Sequence, residues 1–273
     1  MAPTWILIVS TVINGLSLIV NMPHIITLYI MPPEKLFGAK NNRVMLLHIA
    51  VLDILTTAIR MPLDNQFLQH TMDENRWLCG LTAILGYGPH VVCNSILVIG
   101  CIDRLIAVRH PTSYSQWFLP KHIAWFYWIP YVFWIAALTA LTVMYEEQIL
   151  TPRGFTICYY NAQRSKPLLF LLLIPGVLLP MAIILTLYAV IIITVCRRHT
   201  TAARGEAGYA VQAAKIIMAI LITYFVLWIA GPLQVIVYTV TGKPSQVLWF
   251  LASLTIACNS GTHPIIYGLM NRK

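Results

Sequence analysis

The sequence predicts an all-α membrane protein, a seven-transmembrane helix bundle in one domain over residues 1–273, with the N-terminus outside and the C-terminus cytoplasmic. Three observations point there. Hydrophobic residues make up 59% of the chain and charged residues only 10%, where a soluble domain carries about 25%. Seven charge-poor stretches recur, each near the roughly 20 apolar residues that cross a bilayer. Basic residues are unevenly shared: Lys35, Lys40, Arg43, Arg104, Arg109, Lys121, Arg197, Arg198, Arg204, Lys215, Arg272 and Lys273 fall on one side, which is thereby the cytoplasmic one.

Helix 1 is expected at 5–30, where "MAPTWILIVS" has neither the basic start nor the cleavage pattern of a signal peptide. Helix 2, at 44–69, carries Asp53 in "LHIAVLDILTT". A carboxylate at mid-membrane costs about 2.5–3.5 kcal/mol on insertion scales, so it should face the interior and serve an ion, a proton or a partner. Asn259, Ser260 and His263 of helix 7 are the candidate partners. Arg60, about two turns further out, either contacts an anionic ligand group or snorkels to the interface. Helix 3, at 79–108, ends on the adjacent acid and base Asp103 and Arg104, after a run from Leu81 to Ile102 without charge.

Helix 4 is expected at 122–144, helix 5 at 167–197, helix 6 at 211–240 and helix 7 at 246–270. Pro180, Pro232 and Pro264 lie inside the last three. Each removes a backbone hydrogen bond that neighbouring helices, side chains or water must make good, which marks a kink. Tyr188 and Tyr267 fall toward the cytoplasmic ends of helices 5 and 7, near Arg104. Both termini read as trimmed to the bundle, as those of a naturally short protein would.

Cys93, Cys101, Cys196 and Cys258 fall in or at the end of spans, as small apolar residues do. Cys79 and Cys158 lie on the outer, oxidising side, where either a bridge across the bundle mouth or two thiols could stand. The net charge of +9 sits mainly beside the spans. Anionic lipid headgroups are therefore a sufficient partner, and nucleic acid is not expected.

Together these features resemble the rhodopsin-like (class A) G protein-coupled receptors. The matching elements are Cys79 with Cys158, "LHIAVLD", "DRL", Trp128, Pro180 with Tyr188, "FVLWIAGP" and "HPIIY". The resemblance implies a receptor and not an enzyme, held in the plasma membrane, with a heterotrimeric G protein as partner. It implies that Arg104 engages the G protein, that Asp103 restrains it, and that Tyr188 and Tyr267 move toward it around Pro232 and Pro264. It also implies a disulfide between Cys79 and Cys158. An allosteric sodium ion is implied at Asp53, Asn259 and Ser260, with Cys93 and His263 standing where the family has oxygen donors.

Departures narrow the reading. Gly86 occupies the place of the amine-binding Asp, and Ala257 that of the retinal-binding Lys, so neither an ammonium ligand nor retinal is implied. The toggle Trp place is Ala230; Trp228 stands two residues earlier, and the role is not carried to it. Gln212 replaces a helix 6 acid that helps hold the Arg in some members, so appreciable basal signalling is expected. "NSGTHPIIYGLMN" resembles the melatonin receptors, and "YGPHVVCNSILVIGCIDRL" the neighbouring medium-chain fatty-acid and invertebrate migration-and-barrier receptors.

A small-molecule pocket is concave and mainly apolar, with a few orienting polar groups. Tyr87, His90, Tyr159, Tyr160, Gln234, Trp249, Ser253 and Arg60 are the candidate ligand contacts. Each could equally belong to the bundle core or the interfacial belt, and His90 suits a packed histidine. The set favours a small amphipathic ligand, lipid-like or melatonin-like, with a peptide agonist as the alternative. From other classes, an intramembrane hydrolase using Ser260 and His263 lacks a nucleophile elbow. A transporter or channel through Asp53, Asn259 and His263 lacks a visible inverted repeat.

Overall fold

The computed structural model describes residues 4–30, 40–63, 76–110, 114, 120–144, 149–150, 159–160, 170, 172–199, 218–219, 222–241 and 245–270. The helices follow in chain order as α1 Thr4–Ile30, α2 Lys40–Leu63, α3 Arg76–Arg109, α4 Pro120–Met144, α5 Leu179–His199, α6 Ala230–Thr241 and α7 Gln246–Met270. A π-helical turn, Ile174–Leu178, leads into α5, and residues 222–228 are helical ahead of α6. The expected end of helix 2 at residue 69 lies outside the described residues. By length and hydropathy four described helices can cross a membrane, Thr11–Ile30, Ile84–Arg109, Ala124–Met144 and Ile174–Thr194. A shorter apolar helix covers Ile222–Tyr238.

One feature departs from a purely helical chain. Between α4 and α5, β1 Ile149–Leu150 pairs antiparallel with β2 Tyr159–Tyr160, with Ile149 opposite Tyr160 and Leu150 opposite Tyr159. Aromatic and branched side chains suit such a pair. β1 packs on α3, so this hairpin sits over the central helix.

α3 is the hub. It packs on α2, α4 and α5, while α1 packs on α2 and α7, and α6 on α7. Its Ile96, Leu97, Val92 and Cys101 are almost fully buried, together with Leu52 of α2, Leu138 of α4 and Ile184 of α5. The opposite polarity rule holds outside. Trp125, Phe126 and Phe133 of α4 and Ile19 of α1 are exposed apolar residues, as befits helices whose outer solvent is lipid.

Two prolines explain where two of the buried asparagines sit. Pro180 has no N–H to give the carbonyl of Gly176, four residues earlier, and Asn94 of α3 donates to that oxygen through Nδ2 at 2.7 Å. Pro264 likewise has none for Ser260, and Asn21 of α1 donates to that carbonyl at 2.7 Å. Both asparagines are fully buried. Pro232 deprives the Trp228 carbonyl in the same way, and the helix gives a turn at Ile229. Hydrogen bonds of 3.2 Å, from Ile229 to Phe225 and from Leu233 to Ile229, carry it across.

α1 and α7 approach closely beside Asn21. Ser17 Oγ donates to the Ala257 carbonyl at 2.8 Å, and a Cβ on Gly261 would lie 2.8 Å from that same oxygen. Gly261→Ala should therefore displace the Ser17 hydroxyl and cost about 0.5–1.5 kcal/mol, the worth of its hydrogen bond. Thermal unfolding in detergent checks this: the midpoint falls for Gly261→Ala alone, and the same change adds no further fall in a Ser17→Ala background.

Candidate functional site

Three polar clusters lie along the bundle. The first closes α3. Arg104 Nη2 lies 2.5 Å from Asp103 Oδ2, and Asp103 is 4% exposed. Asp103 Oδ1 accepts a hydrogen bond from the Tyr114 hydroxyl at 2.7 Å. Beyond α3, His110 N–H donates to the Ile106 carbonyl at 2.8 Å and Tyr114 N–H to the His110 carbonyl at 2.9 Å. Both carboxylate oxygens of Asp103 are thereby engaged. Tyr114 escaped the sequence reading, although a tyrosine one short turn beyond "RHP" was its signal. Tyr188 is buried in α5 within electrostatic reach of Arg104. Tyr267 lies in α7, but its side chain, and Gln212 altogether, fall outside the described residues.

The second cluster joins α2 to α7. Asp53 and His263 are both buried, and His263 Nδ1 lies 2.8 Å from Asp53 Oδ2. With the proton on Nδ1 the imidazole donates to the carboxylate. Ser260 is the other polar side chain beside the same carboxyl. Of the three partners named for Asp53, His263 and Ser260 are therefore brought to it. Asn259 is buried with its Oδ1 lacking a partner among the described residues, as is His263 Nε2. An unengaged Nε2 leaves Ser260 without the base a hydrolase needs. Among the described residues no group of three His, Cys, Asp or Glu could hold a metal ion.

The third cluster runs from α3 to the helix ahead of α6. Asn94, having donated to Gly176, accepts the Tyr224 hydroxyl on its Oδ1. The Tyr224 ring stacks on Trp228, centroids 5.7 Å apart, and Trp228 meets His90 edge-on at 5.1 Å. Trp228 is 7% exposed and faces α3. The sequence reading carried no role to it; it lies four residues after Tyr224, on the same face of the regular helix 222–228. His90 is packed against an aromatic ring, in keeping with its reading as a core histidine.

Above these, Tyr87 and His90 are half-buried on α3, and Gln234 is buried on α6 with its Oε1 lacking a partner among the described residues. Tyr159 and Tyr160 form β2, in the hairpin that rests on α3. Arg60, Trp249 and Ser253 lie in α2 and α7, and Cys79 in α3, with side chains outside the described residues, as is Cys158. Trp128 stands half-exposed with its edge on His48, centroids 5.5 Å apart. The buried tryptophan of α4 is Trp134, whose Nε1 donates to Ser95 Oγ at 2.9 Å.

Tyr224→Phe would leave Asn94 Oδ1 buried without a donor, at a cost of about 1–3 kcal/mol. A lower thermal unfolding midpoint in detergent is expected, and an unchanged one would show that the bond is absent.

No curated protein matches the chain. A family model described as 7 transmembrane receptor (rhodopsin family) matches residues 25–267, from within α1 to Tyr267, which takes in all three clusters. This receptor family, whose members are not enzymes and signal through G proteins, is the one to which the chain belongs.

Proposed function

We propose that the protein is a plasma-membrane receptor, N-terminus outside, that binds a small amphipathic ligand, lipid-like or melatonin-like, and activates a heterotrimeric G protein beneath Arg104. Family membership supplies the receptor and its G protein coupling. The Asp103–Arg104 pair, with Tyr114 on the second carboxylate oxygen, is the observation that carries the coupling end. An arginine held by a neighbour whose other oxygen is also engaged can be released by rearrangement, without crossing the cost of a fully buried lone charge.

At the other end, Tyr87, His90 and Gln234, with the β2 tyrosines, Trp249, Ser253 and Arg60, form the proposed ligand surface. Gln234 Oε1 and Trp228 Nε1 are buried polar atoms without partners among the described residues. A ligand offering one donor and one acceptor on an otherwise apolar body would satisfy them, which supports an amphipathic molecule over a strongly charged one. Agonist and G protein each favour the arrangement they bind better, and only that difference in affinity moves the equilibrium. Cys79 and Cys158 are proposed to bridge the hairpin to α3, since the hairpin already packs there.

Purified receptor reconstituted with heterotrimeric G protein should catalyse GDP–GTP exchange without added ligand. Arg104→Ala should reduce that rate by about tenfold or more, equivalent to at least roughly 1.4 kcal/mol of lost coupling. Unaltered exchange would sink the assignment. Tyr114→Phe frees one oxygen of Asp103 and should raise the basal rate in the same assay. A separate check concerns the bridge: Cys79→Ser and Cys158→Ser should each impair surface expression, and normal expression of the double variant would refute it.

A further inference from the structure

The resemblance to class A receptors implies a sodium ion at Asp53, Asn259 and Ser260, and the donor set found there does not fit one. A cation in a low-dielectric interior needs a negative oxygen to offset its lost hydration. The carboxylate of Asp53 is the acid of this cluster, and its Oδ2 is already met by His263 Nδ1 at 2.8 Å. With the proton on that nitrogen, an N–H dipole points at the oxygen on which a cation would rest. Ser260 and Asn259 add only neutral oxygens, and the other neighbours are soft or basic. Cys93 is a buried free thiol near Asp53, and His24 of α1 lies within electrostatic reach of His263. Hard cations take oxygen ligands and gain little from sulfur or imidazole.

We infer that His263 stands in place of the ion: the α7 imidazole is a built-in partner for the α2 carboxylate, and the bundle is insensitive to sodium. The geometry of α7 supports this. Asn259 and His263 are four residues apart, on one helical face. Asn259 Oδ1 and, in the Nδ1–H tautomer, His263 Nε2 are both acceptors without a donor among the described residues. One water, with two O–H donors, satisfies both, and buried waters are the usual occupants of such a gap. The α2–α7 contact is thus closed by a covalently attached group, where an ion would be exchangeable. A coupling that sodium tunes from outside is replaced by one that only the protein's own rearrangement can open.

The inference does not rest on the proposed ligand or on G protein activation, and the test uses neither. Purified receptor in detergent is unfolded thermally in sodium chloride and in choline chloride at matched ionic strength, across a concentration series. The wild-type midpoint should be the same in both salts. His263→Asn uncovers Asp53 and adds an oxygen donor, so its midpoint should rise saturably with sodium and not with choline, and Asp53→Asn in that background should remove the rise. His263→Gln serves as a second variant should His263→Asn fail to fold. A saturable sodium-specific rise in the wild type, abolished by Asp53→Asn, would overturn the inference. So would a folded His263 variant whose midpoint is equal in the two salts.

Discussion

Inside a bilayer bulk water is not at hand to satisfy a stray polar group, so backbone and side-chain donors and acceptors depend on partners within the bundle or on a bound water. That constraint organises this bundle around its prolines. Pro180 and Pro264 each strip a carbonyl of its intrahelical donor, and in both cases a fully buried asparagine of a neighbouring helix supplies the missing N–H. Asn94 thereby ties α3 to the turn before α5, and Asn21 ties α1 to α7. Leaving either carbonyl unpaired would cost about 1–3 kcal/mol, a large share of the stability of a single domain. The kinks and the inter-helix ties are one device seen from two sides.

From those ties a discontinuous polar thread follows. Gln234 and Trp228 stand nearest the proposed ligand surface, Tyr224 and Asn94 link Trp228 to α3 and α5, Asp53 with His263 links α2 to α7, and Asp103 with Arg104 and Tyr114 ends α3. Pro232 differs from Pro180 and Pro264. Its freed carbonyl, that of Trp228, has no asparagine among the described residues, and the helix gives a turn at Ile229. A break that is not tied to a neighbour costs less to pivot than one that is, and Trp228 and Tyr224 ride on this helix. A shift in the aromatic contact between His90 and Trp228 is in this way connected to the only side-chain bond that Tyr224 makes to Asn94 among the described residues.

Much of this was legible in the residues. Charge-poor runs located the helices, because lipid-facing surface leaves no other composition available. Asp53 announced an interior partner through its cost alone, and the arrangement chose His263 and Ser260 from three named candidates. Asp103 and Arg104 stood out as charges at the end of an apolar run. What could not be read depended on neighbours in space or on short turns. Trp228 turns inward together with Tyr224, four residues before it, a pairing that counting from the family's toggle place at Ala230 passes over. Tyr114 reaches Asp103 through a turn after α3, and the β1–β2 hairpin through pairing of two residues on each side, both too short to leave a periodic signal. That Trp134 is the buried tryptophan of α4 left no signal either, since burial depends on which face meets α3 and the apolar pattern of α4 runs all round.

The central claim is that the bundle opens at its Arg104 end to admit a G protein, with the helix before α6 as the moving part. The direct measurement is the distance between spin labels at Ile102→Cys on α3 and Ile222→Cys ahead of α6, both on exposed positions, read by pulsed electron resonance with and without nucleotide-free heterotrimeric G protein. A longer distance in the presence of the G protein, lost in the Arg104→Ala background, is the expected result; a distance distribution that the G protein leaves unchanged would contradict the claim.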